Sequence, residues 1–531
     1  MSRKTTPCLV QPSQSSRVEL NVKLGLEQKP TRQEQKLKTL TQYVQQYPSG
    51  WKKRLQLADL LYGIGNWDRA VEEYRQVIER QPQLIKVRLK LGKLLQVMGL
   101  VAEAIEVYEN ALALCRNPAT EHHLRGLIGL CRHHPHQAIK AFESATSLEP
   151  ENPSHWLALG QVQMEVENPV AAGRALDAIL SLNPDDTVAL ISLYDALMAV
   201  GKLREARQCL NCAQELAPDD YQALKRLAKY RCRMRLVSSE AGKQTKQIVN
   251  AALKLAPDVP GTQQLLAYYY LFRGEWVKGV EVLQQFTEHH PHNPSGWYYY
   301  GWCLFQTSAT QGAAEAMLNA YHLYSNDCEI YRALCEILPA AGRLEELRPL
   351  LDEMLERFPD RWSIWATVGR VLVEQFQEIE QGCDVSLKGT QLQPQLPDAW
   401  FRHGRVLALA GKHQDAVETL EQGWKLLEAG WISLSVPAAV WLGESYRSLG
   451  DEVASRKWWE EANERSRKLV EFDPAMAAYW QGRALQGLGE VTGAIAAYQN
   501  ALSQQLLYPA RGEVEAALKR LQTMQQNSLG S

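Results

Sequence analysis

The sequence predicts an all-α solenoid, in which many similar helix hairpins stack along one axis. Three observations predict it: prolines recur at a 34-residue spacing, a small and a large residue stand at fixed distances before them, and a glycine-containing pair stands earlier in many of the units. A fixed period of this length is typical of repeat proteins, whose units cannot bury an apolar face alone and therefore stack into one continuous core.

The prolines mark the end of each unit. A proline lacks the backbone N–H and clashes with the preceding helical turn, so it ends the second helix of a hairpin. Arg116, Ser325 and Glu428 occupy the same phase without proline. The prolines in this phase are Pro48, Pro82, Pro150, Pro184, Pro218, Pro257, Pro291 and Pro359.

Small and large residues recur in step with the prolines. A small residue lets the two helices of a hairpin approach closely, and a large one fills the remaining gap. The small residues are Ala70, Ala104, Ala138, Ala172, Ala206, Gly279, Ala313 and Ala416. The large residues are Tyr74, Tyr108, Phe142, Leu176, Leu210, Leu283, Met317 and Leu420. The glycine-containing pairs are Leu91-Gly92, Leu159-Gly160, Tyr300-Gly301, Val368-Gly369 and His403-Gly404.

This pattern resembles the tetratricopeptide repeat, W-x2-L-G-x2-Y followed by A, F, A and P over 34 residues. Residues 156–184 carry most of it, and the resemblance covers roughly residues 51–506. It implies a right-handed superhelical solenoid of about 13 hairpins, with the first helix of each unit lining a concave groove. It also implies a chain that binds other proteins and is not an enzyme.

The repeat divides the chain into four parts. We expect a disordered segment at 1–30, a half repeat at 31–50, the solenoid at 51–508, and a capping helix with its tail at 509–531. Units should begin near residues 51, 85, 119, 153, 187, 221, 260, 294, 328, 362, 397, 436 and 475. The solenoid should be irregular near 221–259 and 424–474, with extra residues around 232–244, a longer link at 424–437 and a longer second helix at 452–472.

Composition is that of a folded protein with balanced charge. The 58 basic and 60 acidic side chains give a net charge of -2, so bulk charge does not indicate nucleic acid or membrane. No apolar run reaches the roughly 20 residues of a membrane-spanning helix, and the N-terminus lacks the apolar core of a signal peptide. Ten scattered cysteines fit reduced, buried thiols. We therefore expect a cytoplasmic protein.

The inner positions of the first helices supply the candidate binding site. Aromatic and arginine side chains dominate the binding energy of protein interfaces, and arginine can grip carboxylates. We expect an apolar segment of the partner opposite units seven and eight and an acidic one opposite units ten to thirteen. Some of these residues could instead belong to the core between helices. The candidates are Tyr268, Tyr298, Trp302, Phe305, Arg370, Phe401, Arg405, Arg447, Tyr479 and Arg483.

Unit six contains a basic patch. Its charges could attract an acidic protein surface, nucleic-acid phosphate or an anionic membrane, or they could form a solvated face paired with acids of adjacent units. The pairing is the more economical interpretation. The patch consists of Lys225, Arg226, Lys229, Arg231, Arg233 and Arg235.

Neither a cofactor nor a metal is expected. The histidine strings at 133–136 and 289–292 lie at turns and cannot converge on one metal ion. Cys209 and Cys212 lack the second pair of a zinc site, and we expect both to be packing residues. Phosphate-binding and hydrolase motifs are missing, and the repeat leaves no room for a catalytic domain.

The sequence thus predicts a non-catalytic scaffold or adaptor for complex assembly, which binds one or more proteins or peptides in its groove. Two alternatives remain: a non-catalytic subunit of an enzyme complex, and an RNA-associated helical-repeat protein. The regular 34-residue period argues against the second of these.

Overall fold

The computed structural model describes residues 32–63, 66–98, 100–200, 202–218, 221–233, 239–255, 264–289, 291–428, 431–504, 506 and 511–529. These residues form 28 helices, and none of them lies in a strand. The predicted N-terminal segment at 1–30 lies outside this part of the chain. The all-α solenoid is confirmed.

The helices form one leading helix, thirteen hairpins and one closing helix. The leading helix and units one to six are α1 (Arg32–Gln46), α2 (Trp51–Gly63), α3 (Trp67–Arg80), α4 (Ile85–Val97), α5 (Val101–Leu114), α6 (Pro118–Cys131), α7 (Pro135–Leu148), α8 (Pro153–Glu165), α9 (Pro169–Leu182), α10 (Thr187–Ala199), α11 (Leu203–Leu216), α12 (Tyr221–Arg233) and α13 (Ser239–Leu255).

Units seven to thirteen follow in the same alternation. They are α14 (Gln264–Arg273), α15 (Trp276–His289), α16 (Pro294–Gln306), α17 (Thr310–Leu323), α18 (Cys328–Ala340), α19 (Leu344–Arg357), α20 (Trp362–Phe376), α21 (Ile379–Leu392), α22 (Pro397–Leu409), α23 (His413–Lys425), α24 (Ile432–Ser448), α25 (Glu452–Leu469), α26 (Pro474–Leu488) and α27 (Val491–Ser503), and α28 (Arg511–Leu529) closes the stack.

The register of the repeats is close to the predicted one. Each unit begins within four residues of its expected start. The long link expected at 424–437 is shorter, because α24 already begins at Ile432 and contains Pro437, which gives up only one helical hydrogen bond. The second helix of unit twelve is lengthened, as expected, over Glu452–Leu469. The insertion expected around 232–244 falls partly outside the described residues.

Asparagine followed by proline starts several of the helices. The side chain of Asn152 accepts a hydrogen bond from the backbone N–H of Ser154, and that of Asn293 accepts one from Gly296. The proline that follows each occupies the first helical turn, where a missing N–H costs nothing. Local sequence therefore fixes where these helices begin.

Close contact between the two helices of a hairpin depends on glycine. A Cβ atom on Gly92 would lie 2.3 Å from Cε1 of Tyr108, and one on Gly482 would lie 2.7 Å from Cδ1 of Tyr498. The same spacing of 16 residues joins Gly126 to Phe142. The small and large residues of the repeat pattern are buried throughout, as expected.

The solenoid also contacts itself across its superhelical turns. Val200, in the turn between the helices of unit five, belongs to one buried cluster with Trp362 and Leu396 of units ten and eleven and with Trp431. Arg204 of α11 lies 5.8 Å from the ring of Phe472 and pairs with Glu471 at 3.0 Å. The edge of unit five therefore contacts units ten to twelve.

A polar contact fastens the same edge, and we call Glu167, Arg332 and Ser363 the inter-turn clasp. The Glu167 carboxylate accepts a hydrogen bond of 2.9 Å from the backbone N–H of Ser363, in the first turn of α20, and pairs with the Arg332 guanidinium at 2.9 Å. Beside it, Gln393 donates to the carbonyl of Val166 at 3.1 Å. An acid of unit four thus caps a helix of unit ten.

Glu167 adopts an unfavourable backbone conformation just after the first helix of unit four. The residue after the first helix of a hairpin adopts positive φ in many units, and Gly342, Gly411 and Gly489 serve there without strain. Glu167 adopts φ of 55° at the same point, which disfavours a residue with a side chain by roughly 1 kcal/mol. A glycine would relieve the strain but would remove the carboxylate that reaches α20.

We expect Gly92→Ala to destabilise the protein by about 1–3 kcal/mol, because the added methyl group would overlap the buried ring of Tyr108. Urea denaturation followed by circular dichroism measures the change. Gly512→Ala is the matched control, since a Cβ there meets nothing within 4 Å. Equal stability of the two variants would contradict the close approach.

We expect Glu167→Ala to weaken the protein by about 1–2 kcal/mol, because α20 loses its cap and Arg332 loses a partner. Thermal denaturation reports the loss of stability, and small-angle X-ray scattering reports opening of the solenoid as a larger radius of gyration. Glu151→Ala removes an exposed carboxylate at the opposite end of α8 and should change neither measurement. An unchanged radius for Glu167→Ala would show that the clasp does not hold the turns together.

Candidate functional site

The first helices of units seven and eight bring five aromatic rings together, and we call Tyr268, Tyr298, Tyr299, Trp302 and Phe305 the aromatic patch. Ring centroids lie 5.8 Å apart for Tyr268 and Tyr299, 6.4 Å for Tyr298 and Trp302, and 5.8 Å for Trp302 and Phe305, all in edge-to-face geometry. All five side chains are half-buried. The structure therefore gathers the four predicted aromatic residues into one surface.

Tyr299 joins the two units, and sequence reasoning missed it. Its ring contacts Tyr268 of unit seven and also lies 5.2 Å from that of Tyr298. The unbroken Tyr298-Tyr299-Tyr300 string carries the signal, but position within the repeat assigns only Tyr298 of the three to the groove. Burial, then the carboxylates of Asp327 and Glu329, raises the pKa of Tyr299 to about 12, so its hydroxyl stays neutral.

The arginines of units ten to thirteen are paired within the chain. Arg370 contacts Glu336 at 2.5 Å and Glu374 at 2.7 Å. Glu444 lies 3.4 Å from Arg405 and also forms an ion pair with Arg483. These carboxylates already pair with the arginines that an acidic partner would need to contact.

Sequence position explains the pairing. Glu336, Arg370, Arg405, Glu444 and Arg483 all occupy the ninth position of their units, and we call them the ninth-position ladder. Equivalent residues of adjacent units lie side by side in a stacked solenoid. A comparison of the ninth residues of adjacent units predicts the ion pairs.

Phe401 does not line the groove. Its side chain is 1% exposed, and a Cβ on Gly423 would lie 2.8 Å from its ring, so it packs between α22 and α23. Because residue 423 is glycine, the ring has space to pack inside the hairpin. The expectation that Phe401 meets a partner is therefore not met.

Tyr479 and Arg447 differ in their availability. Tyr479 is 8% exposed, and its hydroxyl accepts a hydrogen bond of 3.0 Å from Arg483. Arg447 is exposed and lies 5.7 Å from the ring of Trp459. Arg447 is thus the more accessible of these two predicted contacts.

The basic patch of unit six is partly engaged by neighbouring groups. Arg226 pairs with Asp195 of unit five at 2.9 Å, and Arg231 donates to Thr245 at 3.0 Å. Lys229 lies 5.6 Å from the ring of Tyr268, which joins the patch to the aromatic surface. Burial, then Lys229 and Arg226, lowers the pKa of Lys225 to about 8. The side chain of Arg233 and all of Arg235 lie outside the described residues.

The closing helix α28 forms one wall of a cavity of about 720 Å³. The opposite wall comes from α24–α27, and the lining includes Arg447, Trp459, Arg483, Glu513, Arg520 and Met524. Two of the predicted arginines, Arg447 and Arg483, thus lie in the lining of this cavity. This helix therefore covers part of the surface that the sequence assigns to a partner.

Other candidate chemistry is limited in the described chain. In that part, no three His, Cys, Asp or Glu side chains are grouped to hold a metal ion, and no helix is long and apolar enough to cross a membrane. Cys209 is half-buried, and burial raises its pKa to about 11. Cys212 is exposed, so the expectation that it packs in the core is wrong.

We expect Glu444→Gln to free Arg405 and Arg483 from their shared carboxylate and to lower stability by about 1 kcal/mol, since the pairs are partly exposed. The freed guanidinium groups should bind a fluorescent polyglutamate peptide more tightly, as measured by anisotropy. Glu452→Gln makes the same change of net charge at an exposed residue of α25 and should not. Equal peptide binding by both variants would contradict the pairing.

Comparison with known proteins finds family models that match several stretches of the chain. Two family models, each described as tetratricopeptide repeat, match it, one at residues 164–228 and the other at 55–119, 132–187 and 265–327. A comparison with curated proteins finds no match.

Two solved structures are similar to parts of the chain. One is YrrB, described as a TPR protein with an unusual peptide-binding site, at 17% identity over 35% of this chain and 97% of that one, with a TM-score of 0.23. The other is yeast Tom70, at 13% identity over 77% and 96%, with a TM-score of 0.38. With the repeat pattern, the stacked hairpins and the family models in agreement, the chain is a tetratricopeptide-repeat protein of many repeats.

Proposed function

We propose that the chain is a non-catalytic scaffold, which assembles a complex by binding a partner protein or peptide on its concave surface. Tetratricopeptide repeats support a protein-interaction role in general. The observation that carries the proposal is the aromatic patch, where rings from two adjacent units meet edge to face and stay half-exposed. Rigid aromatic groups of this kind dominate binding energy in protein interfaces.

The partner we propose presents an apolar or aromatic segment to this patch. The neutral hydroxyls of Tyr298 and Tyr299 can add hydrogen bonds, because burial raises the pKa of both. An acidic segment opposite the arginines has a weaker basis, since Glu336, Glu374 and Glu444 already neutralise the ladder. Arg447 is the predicted arginine of this region whose side chain is exposed, and it lines the cavity beside α28.

No specific observation supports either of the two alternative functions. The pairing of Arg226 with Asp195 supports the interpretation of unit six as a solvated face over a phosphate-binding one. A subunit of an enzyme complex would use the same inner surface, and its partner would carry the activity. The proposed compartment is the cytoplasm, which the mostly buried free thiols support.

We expect the double variant Tyr298→Ala/Trp302→Ala to capture about ten-fold less partner than the wild type, because two central rings are lost. Affinity capture from the native lysate, with quantitative mass spectrometry, identifies and measures the partner. Tyr298→Leu/Trp302→Leu keeps apolar volume in the site and should lose less. Circular dichroism must show that each variant is folded.

Matched controls separate this site from the rest of the surface. Tyr62→Ala/Tyr324→Ala removes two exposed rings elsewhere and should capture the partner normally. Arg370→Ala/Arg405→Ala/Arg483→Ala should reduce capture by less than the aromatic variant. Undiminished capture by the folded aromatic variant would refute the proposal, and a captured catalytic chain would favour the enzyme-subunit alternative.

A further inference from the structure

A lysine of unit six lies against the aromatic patch and extends it by one unit. The Lys229 ammonium is 5.6 Å from the centre of the Tyr268 ring, and that ring is 5.8 Å from the ring of Tyr299. Lys229 is half-buried on α12, and Lys225 lies one helical turn before it on the same side of the helix. Basic groups therefore border the aromatic patch on its unit-six side.

Position within the repeat places these groups in one row. Lys229, Tyr268 and Trp302 occupy the ninth position of units six, seven and eight. The ninth-position ladder continues the row from Glu336 of unit nine onward. Because equivalent positions of stacked units lie side by side, the row runs from a cation through aromatic rings to a carboxylate. Its two ends therefore differ in charge.

The charge of Lys229 is less well compensated than that of Arg226 beside it. Arg226 pairs with Asp195 at 2.9 Å, whereas no carboxylate of the described residues lies within 4 Å of the Lys229 ammonium. Burial, then Arg226, lowers the pKa of Lys229, and Asp195 opposes that change. A carboxylate brought into contact with Lys229 would stabilise its charge in this half-buried position.

At the unit-nine side of the aromatic patch, the charged groups already pair with one another. Glu336 contacts Arg370 at 2.5 Å, and Glu329 forms an ion pair with Arg332. An acidic residue of a partner would have to displace a glutamate from its arginine in order to bind there. The unit-six side is therefore the side of the aromatic patch that favours an acidic residue.

The packing of the rings favours a peptide over a nucleic acid. Single-stranded nucleic acids bind proteins by stacking their bases on the flat faces of aromatic side chains. In the aromatic patch the contacts between units seven and eight and within unit eight are edge to face, so the edge of one ring covers part of the face of the next. Peptide side chains, which need no flat face, can pack against such a surface.

We propose that units six to eight bind an extended segment of a partner protein, in which an acidic residue contacts Lys229 and an aromatic or leucine residue two positions away contacts Tyr268 and Tyr299. Side chains two positions apart in an extended chain lie on the same face, about 7 Å from one another. This spacing is comparable to the 5.6 Å between the Lys229 ammonium and the Tyr268 ring. The proposal rests on the proposed function in taking the aromatic patch as the binding surface.

Peptide selection on the full chain tests the proposed order of residues. The chain is immobilised and exposed to a phage-displayed library of random peptides of roughly 12 residues, which span about 40 Å when extended. We expect the enriched peptides to carry Asp or Glu two positions from Trp, Phe or Leu, with the acid always on the same side. A fluorescein-labelled copy of the most enriched peptide should bind Lys229→Gln about ten-fold more weakly than the wild type, as measured by anisotropy.

Charge reversal supplies a control that loss of folding cannot imitate. A selection on Lys229→Glu should enrich peptides with Lys or Arg in place of the acidic residue, because the charge at the site is inverted. Lys246→Glu makes the same change at an exposed lysine of α13 and should enrich the same peptides as the wild type. Circular dichroism must show that both variants are folded.

Four results would overturn the proposal. If the enriched peptides fail to bind Tyr298→Ala/Trp302→Ala but bind Lys229→Gln normally, the proposed function stands and the acidic residue is wrong. Acidic peptides that bind the aromatic variant normally would place their site on the basic patch alone. A single-stranded oligouridine that displaces the labelled peptide would make nucleic acid the occupant. A selection that enriches no peptide would contradict the proposed function as well.

Discussion

The fold depends on how closely the two helices of each hairpin can approach. Wherever Gly92 or Gly482 faces a buried ring, there is no space for even a methyl group between the helices. Because the two helices lie so close together, their apolar faces form one surface that the next unit can cover. Stacking, the concave surface and the alignment of equivalent positions all follow from this contact. The ninth-position ladder exists because the spacing is kept from unit to unit.

The concave surface divides into two regions with different electrostatics. Units seven and eight present neutral aromatic rings, whereas units nine to thirteen present glutamate and arginine that already satisfy one another. Ion pairs that are partly exposed contribute little energy but fix side-chain positions. The aromatic region is therefore the stronger candidate for affinity. The helix α28 meets the second region and not the first.

Nearly all of the fold could be predicted from the periodicity of the sequence. The starts of the units, the buried small and large residues and the lengthened α25 could be predicted, because each is set by residues close in sequence. Phe401 was misplaced because its orientation depends on Gly423 in the facing helix. The partners of Arg370 and Arg483 required comparison of one position across units, and the contact of Glu167 with Ser363 joins residues that no local pattern relates. Sequence reasoning therefore failed where contacts cross between units or between turns.

The clasp at Glu167 changes how unfolding can proceed. In an open array of repeats each unit senses only its neighbours, so the ends fray and cooperativity decays along the stack. Here a carboxylate of unit four contacts a helix start of unit ten, and Arg204 of unit five contacts Glu471 after α25, so units far apart along the stack also touch. Separation of the two turns must break these contacts as well as those between neighbouring units. Contacts between distant units favour cooperative unfolding, as in a globular domain.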